Sequence, residues 1–259
     1  MKLNITEQKE DSISFVLKDV TPAYANTLRR LMISETPTMA IEDVTFFKND
    51  SVLYDEILAH RLGLVVLKTD ISSYNMQSVC SCKGAGCAQC QLKLTMDVEG
   101  PRTVYAKDLV SSDPKVVPVH PNTVLTKLLE GQKLKFEAVA ILGIGKEHTK
   151  WSPGLIWYYH EPTIKVNCKG KKFETVKDHF PPQIFNKKGE IDAELINSPQ
   201  LLDACSDIDP EVVSITFDKT SFVFKVESFG ALTPKEIVQT ALDMFDKQID
   251  SFAKLVKEI

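Results

Sequence analysis

The chain has 259 residues, 43% hydrophobic and 25% charged, with a formal net charge of −4. That apolar share excludes an extended disordered chain, and the acidic balance disfavours a bulk electrostatic grip on nucleic acid, which needs clustered Lys and Arg to displace counterions. No apolar run approaches the roughly 20 residues of a membrane span and the first residues lack an apolar leader core, so a soluble, cytoplasmic protein is expected, of one large domain or two modest ones.

Residues 2–19 read as two short strands around a polar turn. A helix follows, with Thr21 as N-cap and Pro22 at the first helical position, where its missing N–H costs nothing. Tyr24, Leu28, Leu31 and Met32 recur at helical spacing, Arg29 and Arg30 project from the other side, and Thr36-Pro37 ends the helix. Ile41 to Phe47 reads as a strand and Lys48-Asn49-Asp50 as a turn. Asp55 to Leu62 reads as a helix, acids first and base last, as the macrodipole favours, with Leu64 to Leu67 as a buried strand after it. Leu92 to Val98 and Leu134 to Ile141 alternate as strands, with Leu134, Phe136, Ala138 and Ala140 on one face. Val104-Tyr105 and Val116 to Val119 are shorter strand candidates.

Residues 168–212 carry little periodicity and read as an insertion between two strands of one sheet, with the basic cluster Lys169 to Lys172 as a solvated loop. Ser214 to Phe217 and Phe222 to Glu227 read as a hairpin around Asp218-Lys219-Thr220-Ser221. Thr233-Pro234-Lys235-Glu236 is a capping box with proline at N1, and a helix of roughly 25 residues, about 37 Å, runs from it. Val238, Ala241, Phe245, Phe252, Leu255 and Ile259 form a near-heptad apolar stripe. A stripe this long packs either within its own chain or against a second one; a second chain is the expectation.

Four of the six cysteines lie at 80–90 in the pattern C-x-C-x4-C-x2-C: Cys80, Cys82, Cys87 and Cys90. Thiolates are soft ligands that suit tetrahedral zinc, and four of them close the coordination sphere, so the site should be structural. Gly84 and Gly86 allow the chain to fold back on itself. Disulfides suit a reducing compartment poorly, and the spacing matches neither common ferredoxin pattern. Cys168 and Cys205 are isolated and read as ordinary residues. No nucleophile elbow, phosphate loop or dinucleotide fingerprint is present. Gly143-Ile-Gly145-Lys-Glu-His148 reads as a turn that lets backbone approach a neighbouring subunit. A free-standing zinc-dependent nucleic-acid-binding module and a redox enzyme with a cysteine-bound cluster are the competing readings.

Asn26-Thr-Leu-Arg29-Arg30-Leu with Glu35-Thr-Pro-Thr-Met-Ala-Ile41, Asp55-Glu-Ile-Leu-Ala-His-Arg-Leu-Gly-Leu64, Gly143-Ile-Gly-Lys-Glu-His-Thr-Lys-Trp-Ser-Pro153 and Val226-Glu-Ser-Phe-Gly230 together resemble the alpha-type assembly subunit of DNA-directed RNA polymerase. The resemblance is to the archaeal branch of that family, the D-type, akin to the third-largest subunit of eukaryotic polymerase II and to bacterial alpha. It implies an α+β fold: a discontinuous dimerisation domain of sheet and long helices, residues 1–40 and 160–259, with an inserted mostly-β domain, 41–159, carrying the zinc loop at 80–90. It further implies a scaffold without catalytic residues that pairs with subunit L, then recruits subunits N and P and the large subunits, and meets DNA or RNA only through the assembled polymerase. Arg29 and Arg30 would face a large subunit. Some members carry an iron–sulfur domain near 168–212; with only Cys168 and Cys205 there, the resemblance implies a shrunken remnant and no cluster.

Overall fold

The structure, a computed structural model, describes residues 1–168 and 171–258. It is a mixed α/β fold with three sheets among the described residues. Strands β1 (Lys2–Gln8) and β2 (Ser12–Lys18) lead into helix α1 (Pro22–Ser34), then β3 (Pro37–Asn49) and α2 (Asp55–Gly63). After the cysteine loop come β4 (Gln91–Glu99), β5 (Arg102–Tyr105), β6 (Val110–Ser111), β7 (Val124–Leu128), β8 (Lys133–Ile144) and β9 (Gly154–Val166). Helices α3 (Lys171–Val176) and α4 (Pro199–Ser206) precede β10 (Val213–Ser228), and α5 (Pro234–Lys257) follows. Two compact units divide the chain: Met1–Thr6, Ser14–Ala25 and Trp157–Phe224 form one, and Glu7–Ile13, Asn26–Ile156 and Lys225–Ile259 the other.

The sheet ordered β1-β2-β10-β9 supplies most strands of the first unit. Here Phe15 stacks on Phe224 at 5.1 Å, and Tyr158 packs edge-on against Phe222 at 5.4 Å. The expected hairpin at 214–227 is instead the single strand β10. Asp218 looks like a turn former because its carboxylate accepts from the Thr220 N–H and the Thr220 and Ser221 hydroxyls. The backbone nevertheless stays paired, since the Val20 N–H donates to the Thr220 carbonyl at 3.1 Å.

Residues 168–212 do lie between β9 and β10, neighbours in this sheet. They are more ordered than their sequence promises. Phe173, Phe180, Ile184, Ile191, Ile196, Leu202 and Cys205 close a small core of their own with Val212 and Val213. Lys169 and Gly170 lie outside the described residues; Lys172 sits in α3 and pairs with Glu211 at 2.5 Å rather than standing in a free loop.

The second unit holds the sheet β3-β8-β4-β6 and the ribbon β5-β7. Leu134, Phe136, Ala138 and Ala140 of β8 are buried, as their alternation requires. They meet Val98, Met96, Leu94 and Leu92 of β4 in antiparallel register. On the other side β3 presents Met39 and Ile41 at its start but Val44 and Phe46 further on. A register shift between Ile41 and Asp43 explains the change of parity: one extra residue turns the following side chains back to the same face. Phe46 thereby reaches Phe136, with ring centroids 5.6 Å apart.

Leu64 to Leu67 is not a strand. Leu67 makes an isolated bridge to Pro118 and Leu64 is exposed; Val116 to Val119 is likewise reduced to its side of that bridge. Both segments are too short to ladder, so their apolar runs reflect burial of Val65, Leu67 and Val116 alone. Leu94, fully buried at the centre of this core, gives a first prediction. Leu94→Ala should cost about 3 kcal/mol through transfer and cavity terms, read as a lower urea midpoint at unchanged m-value.

Candidate metal centre and docking surface

The cysteine loop is tied to its surroundings before any metal is considered. The Asn75 N–H donates to the Gln89 carbonyl at 2.8 Å, and β4 begins directly after Cys90. Within the loop, Lys83, Ala85 and Cys90 N–H groups donate to the Cys80, Cys82 and Cys87 carbonyls. Gly84 and Gly86 both stand at φ +83°, in the left-handed region glycine enters at no steric cost. These turns fold the two cysteine pairs onto each other. The sulfur separations are 3.6 Å for Cys80–Cys87, 3.5 Å for Cys82–Cys90 and 3.9 Å for Cys87–Cys90, and all four sulfurs lie within 4.8 Å of one another.

A tetrahedral ion with sulfur ligands at about 2.3 Å requires edges of about 3.8 Å. Three of the six edges are already near that length, so the quartet could hold a metal ion. Cys80 and Cys90 are buried, and Cys82 and Cys87 are half-buried. The thiols differ in acidity: hydrogen bonding with Cys80 draws Cys82 down to about 6, whereas burial pushes Cys90 up to about 12. A cation at the centre would oppose that spread by favouring thiolate at every position.

Cys168 and Cys205 belong to the first unit and are not members of the quartet. Cys168 donates to the Ile191 carbonyl at 3.7 Å. Cys205 is fully buried in the small core, and burial raises its thiol.

Arg29 and Arg30 diverge along α1. The Arg29 guanidinium donates to Asn26 Oδ1 at 2.9 and 3.3 Å, whereas Arg30 is exposed and lines a cleft of about 230 Å³ with Thr27, Glu35 and Lys146. The glycine-rich turn approaches its own chain. A side chain on Gly145 would meet the Ile33 carbonyl, and one on Gly143 would meet the Trp151 ring. These glycines close the end of α1 against β8.

The capping box of α5 forms as its sequence requires. The Glu236 N–H donates to Thr233 Oγ1 at 3.3 Å and the Thr233 N–H to Glu236 Oε2 at 2.8 Å. Ile237 and Ala241 are fully buried, so Ala241 has no surface left to offer a partner. Val238 and Phe245 are half-buried. Beyond them the helix is exposed, including Ile249 at 48%, Phe252 at 68%, Leu255 at 61% and Val256 at 52%; Ile259 lies outside the described residues.

A cleft of about 760 Å³ in the second unit is lined by Lys68, Asp70, Ser72, Lys115, Glu236 and Asp243 among others. Asp70 accepts from Ser72, Ser73 and Lys115. Those hydrogen bonds, the Ser72 hydroxyl first, hold its carboxyl well below the usual range, so it anchors a turn. Among the described residues, no helix is long and apolar enough to cross a membrane.

Residues 40–156, from β3 to the start of β9, match the family model of the RNA polymerase Rpb3/RpoA insert domain. The chain is 37% identical to DNA-directed RNA polymerase subunit Rpo3 of Archaeoglobus fulgidus, covering 100% of this chain and 98% of that one. It is 34% identical to the same subunit of Pyrococcus furiosus, over 100% and 98% of the two chains, and 35% identical to that of Pyrobaculum aerophilum, over 98% and 95%. The chain belongs to the Rpo3 family of DNA-directed RNA polymerase subunits.

Proposed function

We propose that the chain is a non-catalytic assembly subunit of an archaeal, cytoplasmic DNA-directed RNA polymerase. It forms a heterodimer with subunit L, and the pair then receives subunits N and P and the large subunits. The observation that carries this reading is the outer half of α5, whose large apolar residues stand in solvent in the isolated chain. Exposed apolar surface of this extent, on a helix whose root is buried, marks an interface. Membership of the Rpo3 family supplies the kind of partner.

In this reading Val238, Phe245, Phe252 and Leu255 form the L-facing stripe, and Arg29 and Arg30 meet a large subunit. The domain plan is discontinuous: residues 1–40 and 160–259 make the dimerisation domain around the insert 41–159. The match to an insert domain at 40–156 supports it, as does one sheet drawing β1, β2, β9 and β10 from both sides of that range. The Cys80, Cys82, Cys87 and Cys90 quartet holds one structural zinc. Four thiolates leave no open position, so the ion supplies a cross-link for a loop with little core of its own.

Affinity purification of the tagged chain at its natural level tests the proposal. Both large polymerase subunits should co-purify in stoichiometric amount with template-dependent RNA synthesis. Recovery of the chain free of polymerase, or bound directly to nucleic acid in a salt-sensitive manner, would reject it.

A further inference from the structure

The loop that launches α5, Ser228-Phe229-Gly230-Ala231-Leu232, is held from several directions within the second unit. The Ser228 N–H donates to the Asp11 carbonyl at 2.8 Å, the Phe229 N–H to Pro153 at 3.0 Å, and the Thr69 N–H to the Ala231 carbonyl at 2.9 Å. His120 Nε2 lies 3.2 Å from the Phe229 carbonyl, within reach to donate. Gly230 turns the chain at φ +98°, and a side chain there would strike Val119.

The residues that reach the loop are themselves braced. The Lys68 N–H donates to Val117 and the Val119 N–H to Val66, each at 2.9 Å, on either side of the Leu67–Pro118 bridge. Segments 66–69 and 117–120 thus make a clip, and both fall inside the region matched as insert domain. Past the loop, α5 is buried only near its root, at Pro234, Ile237 and Ala241. A helix of 24 residues that is at most half-buried beyond Ala241 and exposed beyond Phe245 magnifies any error of direction. A tilt of about 10° at the root moves the far end of a helix that long by roughly 6 Å, enough to unseat an interface.

We infer that this clip, acting through Thr69 and His120, is the splint that aims α5 at its partner. Thr69 and His120 are positioning residues, and orienting the docking helix is a role of the insert region. The inference rests on the docking role of α5 proposed above.

The test uses the full chain, alone and with the small partner subunit. His120→Ala should weaken partner binding about threefold to tenfold, the effect of one lost hydrogen bond. It should also speed hydrogen exchange at amides 237–241, while exchange in β8 stays as in wild type. His120→Gln, whose amide can donate to the same carbonyl, should restore both. Gly230→Val, which combines strained φ with the Val119 clash, should weaken binding further. Unchanged affinity and unchanged exchange at 237–241 in both His120→Ala and Gly230→Val would overturn the inference. So would a loss of affinity that merely follows faster exchange throughout β8. If the wild-type chain fails to bind the partner, the docking reading falls, and exchange at 237–241 in His120→Ala alone decides the splint.

Discussion

Replacing Phe252 and Leu255 together by glutamine is expected to reduce affinity for the partner subunit by a factor of about 30 or more, with the chain itself still folded. The two side chains are 68% and 61% exposed in the isolated chain, so their apolar area remains to be buried on association. Fully burying a Phe or Leu side chain contributes about 1.5–3 kcal/mol; with about two thirds of each still exposed, losing both removes about 2–4 kcal/mol, and each 1.4 kcal/mol is a factor of ten. Glutamine keeps helix propensity high and leaves the helix dipole alone. Substitutions at such exposed positions shift stability by about 0.5 kcal/mol at most. Titration calorimetry for binding and thermal unfolding for the free chain separate the two effects. Ala241→Gly should do the reverse: it lies buried at the root of α5, so it should lower stability by about 1 kcal/mol or more.

The second large effect is expected at the cysteine quartet, proposed above to hold one zinc. Cys90→Ala should take bound zinc from one ion per chain to none and destabilise the second unit by about 3 kcal/mol. Zinc-finger peptides owe their whole folding free energy of about 10–16 kcal/mol to the ion. Here the loop borders a core that β3, β4 and β8 already close, so the loss is a fraction of that and resembles removal of a native cross-link, about 2–5 kcal/mol. Cys205→Ala is the control: it sits in the small core, is not one of the quartet, and should leave zinc content at one. Acidification should release the ion in wild type, because protons compete with it for the thiolates. Elemental analysis after dialysis at stepped pH reads both effects.

How far these features can be read in the sequence follows how local their causes are. The capping box of α5 and the thiol quartet each lie within a dozen residues, and their chemistry is complete there. β8 is legible because one of its faces is buried and the other is not. β9 leaves no such signal, for the opposite reason. From Trp157 to Pro162 its side chains are half-buried on both faces, so no alternation appears there, and the alternating stretch that remains, Thr163 to Val166, is only four residues long. β10 reads as a hairpin because the Asp218 side chain makes turn-like hydrogen bonds on a backbone that stays in the sheet. The parity change at Glu42 depends on pairing with β8, about 100 residues away in sequence, and leaves no local mark. The grip of Thr69 and His120 on the loop before α5 is also non-local, and nothing in Ser228 to Leu232 announces it.

Co-expression of the chain with the small subunit L, followed by native mass determination of the purified material, bears most directly on whether α5 is completed by another polypeptide. The account predicts a stable one-to-one complex, with Phe252 and Leu255 protected from solvent labelling only in the complex. A monodisperse single chain that ignores L, with those two residues labelled equally in its presence and absence, would contradict it.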